Sequence, residues 1–129
     1  MNIPLQINTL VAEETVEDLP AIYELIKGLG IMRWSLFFLI AVGRGRALGE
    51  LTPAENEDVC HFLYDASHYG VIVRTVEAPF FRRVLAWRRE GLEPDAGPLY
   101  RRLSARLEEL LGEPDGESRA QSRGTRDGN

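Results

Sequence analysis

The chain has 129 residues, 44% hydrophobic and 27% charged, which is ordinary globular usage for at most one domain and excludes a wholly disordered, collagenous or membrane-spanning chain. Its formal net charge of -5 offers no global attraction to nucleic acid or anionic lipid, so neither is an expected partner. The single cysteine, Cys60, excludes an intrachain disulfide framework and any metal centre that needs three or four thiolates from this chain.

The elements alternate between strand and helix. Leu5 to Val11 repeats with period two and predicts a strand over 5–11. Asp18 stands where a cap would precede the next helix, with Pro20 in its first turn, where a missing N–H costs nothing. Leu19, Ile22, Tyr23, Ile26 and Leu29 form the apolar stripe of that helix, and Gly28 and Gly30 end it, Gly30 in the left-handed position. Trp34 to Val42 is almost continuously apolar, as a parallel strand covered on both faces would be. Its longest apolar run, Leu36 to Val42, falls far short of the roughly 20 residues that span a bilayer.

The clearest helix start follows. Thr52, Pro53 and Glu55 make a capping box with proline at the first helical position, and Glu57 and Asp58 add negative charge near the positive end of the dipole. Val59, Phe62, Leu63 and Ala66 are its apolar stripe, and Gly70 ends it. The β-branched run Val71 to Val76 predicts a third strand. Pro79 opens a short helix with Phe80, Phe81, Val84 and Leu85 inward; 90–97 reads as a loop; Pro98 opens a last helix on Leu99, Leu103, Leu107, Leu110 and Leu111. From Glu113 onward no large apolar residue occurs, so 113–129 is expected to be a disordered tail behind a folded unit at 1–112. Three strands alternating with helices imply a parallel α/β layer with both edges open, as much a slice of a larger (β/α) barrel as a complete domain.

Parallel α/β folds bind ligands at the carboxyl ends of their strands. Those ends are Asn8-Thr9, Val42-Gly43-Arg44-Gly45 and Glu77, expected on one rim. Asn8 offers donor and acceptor, Arg44 a fixed cation and Glu77 an acceptor, while Gly43 and Gly45 permit close backbone approach. The same residue types are also common in turns for conformational reasons alone. Gly43, Gly45 and Gly49 read G-x-G-x-x-x-G with no helix directly behind them, so they form no phosphate cradle. His61, Asp65 and His68 share a helix face opposite the apolar stripe and are expected in solvent rather than on a metal. Cys60, on the flank of the stripe, is expected to pack, not to react. The arginines at 82, 83, 88, 89, 101, 102 and 106 read as a solvated basic surface.

The strand-end segments resemble those of a known family. Ile3-Pro4-Leu5-Gln6-Ile7-Asn8-Thr9, Asp18-Leu19-Pro20-Ala21-Ile22, Trp34-Ser35-Leu36-Phe37-Phe38-Leu39 with Val42-Gly43-Arg44-Gly45, Leu51-Thr52-Pro53-Ala54-Glu55 and Thr75-Val76-Glu77-Ala78-Pro79-Phe80-Phe81-Arg82-Arg83-Val84 follow one another in the order seen in radical S-adenosylmethionine (radical SAM) proteins. They resemble the later half of the barrel, in the branch of haem and peptide-cofactor maturation whose members often carry a C-terminal SPASM region. The resemblance covers about residues 2 to 85.

The resemblance implies a partial parallel barrel. It also implies a [4Fe-4S] cluster on a C-x3-C-x2-C loop that cleaves S-adenosylmethionine to a deoxyadenosyl radical. It places Asn8 near the ribose or methionine part of the cofactor, Val42, Gly43, Arg44 and Gly45 on its adenine side, and Glu77 toward the substrate cavity. None of the three cluster cysteines is in this sequence. The expectation is therefore a barrel fragment of about three βα units, inactive by itself, whose partner is the missing N-terminal barrel half or a second copy of the chain. The alternative is a free-standing non-catalytic α/β module that binds a protein partner or a small molecule. The opening Met1-Asn2-Ile3-Pro4 has neither a basic nor an apolar leader character, so a cytoplasmic location is expected.

Overall fold

A computed structural model of the chain describes residues 5–39, 49–76, 79–91, 96–114 and 120–123. The order is β1 (Gln6–Val11), α1 (Leu19–Gly28), β2 (Arg33–Phe38), α2 (Pro53–Ala66), β3 (Ile72–Val76), α3 (Pro79–Arg89), α4 (Pro98–Leu111) and β4 (Ala120–Arg123). The strands form one sheet in the order β1-β2-β3-β4, and every neighbouring pair is parallel. The α/β parallel architecture read from the alternation is thus the observed one.

Strand parity divides the sheet into two unlike faces. The register lines up Ile7 with Trp34 and Val73, Thr9 with Leu36 and Thr75, and Val11 with Phe38. This face packs under the helices, and Trp34, Leu36, Val73 and Thr75 are wholly buried on it. Trp34 anchors it: its ring meets Tyr23 of α1 edge-on at 5.6 Å, and its indole N–H donates to Thr9 Oγ1 at 2.9 Å. Successive parallel strands joined by crossovers of one hand place all the helices on this same side. The opposite face has no covering element among the described residues.

The local signals work as their chemistry requires. Thr52 and Glu55 close the reciprocal capping box of α2, Glu55 N–H donating to Thr52 Oγ1 at 3.1 Å and Thr52 N–H to Glu55 Oε1 at 2.8 Å. At the end of α1, Gly30 takes φ 76°, and Ile31 N–H reaches back to Ile26 C=O at 3.1 Å, the six-to-one bond of a Schellman stop. Asp18 does precede α1, but a 3-10 turn over Val16–Asp18 holds it in helical backbone and its side chain makes no cap bond.

Three expectations are corrected. The second strand starts at Arg33 and stops at Phe38 rather than running over 34–42; residues 40–48 lie outside the described residues. Within the segment expected to be a disordered tail, Ala120–Arg123 is a strand. The outer edge of β3 offers a row of unpaired backbone groups, and a ladder with β4 satisfies them while Ala120 is buried beside Val73. A short polar stretch can thus be held by its backbone, which a count of apolar side chains does not register.

Of the polar face expected in solvent, His61 is buried and Asp65 and His68, the latter in the 3-10 turn after α2, are half-buried. His61 is 3% exposed, and α2 packs against both α3, which itself meets β4, and α4, which lies across α1 and α2. The α4 stripe of Leu99, Leu103 and Leu107 forms a third layer across α1 and α2. That layer turns the polar side of α2 into an interior, and the polar residues there are paired. Arg88 donates to Asp65 Oδ1 at 2.5 Å and lies over the Tyr64 ring at 4.7 Å. Tyr100 donates its hydroxyl to Asp65 Oδ2 at 2.5 Å. Asp58, also buried, caps α4 from a distance by accepting from Gly97 N–H at 2.8 Å and Tyr100 N–H at 3.2 Å.

Cys60 is wholly buried, as expected of a packing residue, and burial pushes its thiol well above the ordinary range. The unfolded chain therefore gives up this proton first. The corresponding stability is complete below the unfolded value of roughly 8.5 and is lost as pH rises through the folded one. We expect the melting temperature to fall above about pH 9 and the fall to be shallower in Cys60→Ala, with differential scanning calorimetry across pH 7 to 10 as the check. Parallel slopes for the two proteins would contradict this.

Candidate functional site

The face turned away from the helices carries Gln6, Asn8 and Leu10 from β1, Arg33, Ser35 and Phe37 from β2, and Ile72, Arg74 and Val76 from β3. The register arranges them in rows. Gln6, Arg33 and Ile72 lie at the amino ends of the strands; Asn8, Ser35 and Arg74 form a polar middle row; Leu10, Phe37 and Val76 form an apolar row toward the carboxyl ends. Ser35 is buried between its neighbours, Arg33 and Arg74 are half-buried, and Asn8 is exposed. Leu10 and Phe37 are 47% and 38% exposed, a large apolar area for a sheet whose other face is mostly buried. Asn8 Oδ1 accepts from Gln6 Nε2 at 3.0 Å, which orients the carboxamide and leaves its N–H groups to face outward.

Asn8 is the third residue of β1, so it projects from the middle of the open face and not from a strand end. The carboxyl end of β1 is Val11, whose carbonyl accepts from Leu39 N–H at 3.2 Å. Beyond it Thr15 closes the turn, its hydroxyl donating to the carbonyl of Leu10 at 2.6 Å and accepting from Ala12 N–H at 3.0 Å. Val42, Gly43, Arg44, Gly45 and Glu77 lie outside the described residues. Arg33, Ser35 and Arg74 escaped the sequence reading. The signal that finds them is parity: once Trp34 and Leu36 are assigned inward, their neighbours must face the other way.

Two concavities formed by described residues lie on the helical side. One of about 430 Å³ lies where the first turns of α2 and α4 converge, edged by Glu55, Glu57, Asp58 and Arg102. The other, about 130 Å³, lies between α2 and α3 beside His61 and Trp87, with the Arg83–Glu57 ion pair at its mouth. Tyr100 has its hydroxyl pKa raised by burial and by the Asp65 carboxylate, the reverse of what a base or nucleophile needs. This cluster is built for packing. Among the described residues no group of three or more His, Cys, Asp or Glu is placed to hold a metal ion. Cys60 sits in the helical layer, away from the open face, so one buried thiol is all this chain offers and its residues do not fit a [4Fe-4S] cluster. Among the described residues no helix is long and apolar enough to cross a membrane.

No protein-family model matches the chain, and no solved structure does. Two curated proteins are similar to it. It is 33% identical over 93 residues to the AdoMet-dependent heme synthase of Methanosarcina barkeri, a match that takes in 70% of this chain and 27% of that protein. It is 28% identical over 89 residues to the AdoMet-dependent heme synthase of Nitratidesulfovibrio vulgaris, across 67% of this chain and 24% of that protein. The matched stretch is thus about a quarter of the length of these relatives. With the parallel strand–helix order and the segments that resemble the later barrel half, these matches place the chain's kinship: it is a relative of the radical SAM proteins.

Proposed function

We propose that this chain is the cofactor- and substrate-facing sheet of a radical SAM protein of the haem-maturation kind, and that the cluster comes from a segment other than this one. The observation that carries the reading is the uncovered face of a parallel sheet, polar in its middle row, in a chain whose relatives are AdoMet-dependent heme synthases. In this reading the sheet continues into a barrel and its open face becomes the barrel interior. Asn8 presents its carboxamide to S-adenosylmethionine, Val42 to Gly45 line the adenine side and Glu77 faces the substrate. When bound, the cofactor and cluster supply the radical chemistry; this chain contributes binding and orientation and excludes water. By itself it is inactive.

The test joins the chain to the remainder of the M. barkeri synthase in place of that protein's matched stretch. Under anaerobic reduction with S-adenosylmethionine, 5′-deoxyadenosine should form, and Asn8→Ala should reduce its rate. A chimera that loads its cluster but leaves S-adenosylmethionine intact would contradict the reading.

The outer edge of β1 is where the missing barrel half, or a second copy, would dock. Val11 and its alternate neighbours turn their backbone groups to β2, so Gln6, Asn8 and Leu10 turn theirs outward. Lys27 leaves one flank of α1 to donate to Tyr69 C=O at 2.7 Å, and the opposite flank, beside the β1 edge, carries Leu25 and Leu29, both more than half exposed. An unpaired strand edge beside an apolar helix flank promotes association. We expect the chain alone to grow in mass with concentration, and Leu25→Glu with Leu29→Glu to shift it to monomer in light scattering. A wild-type chain that stays monomeric at every concentration would contradict this.

A further inference from the structure

The two edges of the sheet are closed unequally. Among the described residues no strand pairs with the outer edge of β1, whereas β4 lies along β3. Left bare, β3 would be a strong template for pairing: Ile72, Val73, Thr75 and Val76 are β-branched, and Arg74 carries the strand's one charge. The register sets Val73 beside Ala120, Arg74 beside Gln121, Thr75 beside Ser122 and Val76 beside Arg123.

Backbone direction shows how β4 is held. Ile72 N–H donates to Met32 C=O, so Ile72, Arg74 and Val76 turn their backbone groups to β2, and Val73 and Thr75 turn theirs to β4. In a parallel ladder a residue bonds to the two neighbours of its register partner. Val73 C=O therefore accepts from Gln121 N–H, Thr75 N–H donates to Gln121 C=O, and Thr75 C=O accepts from Arg123 N–H. Gln121 is the pivot of the attachment, while Ser122 turns its N–H away from β3. Ala120 is the one apolar residue of the four, so side-chain burial adds little to these bonds.

We propose that Ala120–Arg123 is a guard strap on the β3 edge, and that β3, once the strap lifts, captures the β1 edge of a second copy. β1 is the occupant because its outer edge turns Gln6, Asn8 and Leu10 outward and its six residues match the five of β3. It also brings the exposed Leu25 and Leu29 of α1 beside it. Two β1 edges that meet each other close a two-fold dimer, whereas β1 on β3 joins unlike edges and repeats open-endedly. The strap leaves only the first arrangement available, because its own four-residue edge gives an incoming strand little to pair with. It thus sets the limit of assembly. This goes beyond the radical SAM reading and does not rest on it.

The experiment compares the full chain with Gln121→Pro and Ser122→Pro. Proline at 121 removes the N–H that reaches Val73 C=O; proline at 122 removes one that faces away, which an edge strand tolerates. Mass is followed by sedimentation velocity over a concentration series. Wild type and Ser122→Pro should never exceed a dimer, and Gln121→Pro should keep growing. Adding Leu25→Glu and Leu29→Glu to Gln121→Pro should return it to monomer. In that monomeric background, amide exchange at Thr75 should be about a hundredfold faster with Gln121→Pro than without it, as the loss of three backbone bonds implies. Arg74, whose N–H faces β2, should stay protected. If Gln121→Pro does not fold by circular dichroism, the unsubstituted chain decides: there Thr75 should already exchange at least about tenfold faster than Arg74, through lifting of the strap.

Unchanged Thr75 exchange in Gln121→Pro, Ser122→Pro behaving as Gln121→Pro does, or equal exchange at Thr75 and Arg74 in the unsubstituted chain would overturn the strap. Released Thr75 without growth past a dimer, or growth that persists with the two glutamates, would overturn β1 as its competitor. Wild type growing past a dimer would overturn the limit on assembly.

Discussion

Replacing Trp34 with alanine should cost about 3–5 kcal/mol of stability, the usual loss for a buried indole. Few single residues in the chain should cost more. Trp34 is wholly buried at the centre of the helix-facing side of the sheet, so truncation opens a cavity that rigid neighbours on β1, β3 and α1 cannot refill. It removes the edge contact with Tyr23 and strands Thr9 Oγ1 without its donor. A domain of this size is stable by about 5–15 kcal/mol, so the variant sits near its folding limit. Urea unfolding followed by far-ultraviolet circular dichroism measures the change. Trp34→Phe should fall between the two, because it keeps most of the ring packing and loses the hydrogen bond. A loss below about 1 kcal/mol in Trp34→Ala would show that the sheet does not pack on α1 as described.

The second large effect is expected at Asp65. Its two carboxylate oxygens hold Arg88 and the Tyr100 hydroxyl, tying α2 to α3 and to α4. The Arg88 side chain is only 13% exposed, so Asp65→Ala leaves a guanidinium with little access to water. Breaking a buried pair from one side costs about 3–5 kcal/mol, and the lower end applies here because Asp65 keeps 26% of its side-chain surface in solvent. The loss comes from the stranded cation, so removing the cation should restore part of the stability: Asp65→Ala combined with Arg88→Met should be more stable than Asp65→Ala alone. Chemical denaturation of the two single variants and the double variant gives the coupling. Additive losses would mean that the pair contributes nothing beyond its separate members.

How far the sequence led is visible in particular residues. The capping box at Thr52 and Glu55 and the Gly30 stop are local motifs, complete within a few residues, and they form as read. The three sequence-predicted strands were legible from β-branched and apolar runs, because each must bury one face against the helices. The β4 strand was not, because Ala120–Arg123 joins through its backbone and not through an apolar surface. The burial of His61 and the half-burial of Asp65 were also hidden. A helix's own periodicity shows one apolar stripe, and nothing in it announces that α4 will cover the other side. Asp58 shows the same limit: a charge that reads as favourable to its own helix dipole caps a different helix, joined to it only by the fold. In the candidate site Asn8 was legible as a polar residue on a strand, whereas Arg33 and Arg74 emerge only once the register has set which side chains share a face.

The central claim is that this chain supplies a ligand-facing sheet and not the cluster. Anaerobic reconstitution with iron and sulfide, followed by desalting and metal analysis, tests it most directly when the chain is compared with its chimera carrying the remainder of the M. barkeri synthase. The chain alone, with Cys60 buried in its helical layer, should retain negligible iron and sulfide, and the chimera should retain a full cluster. Stoichiometric iron and sulfide held by the chain alone would contradict the account.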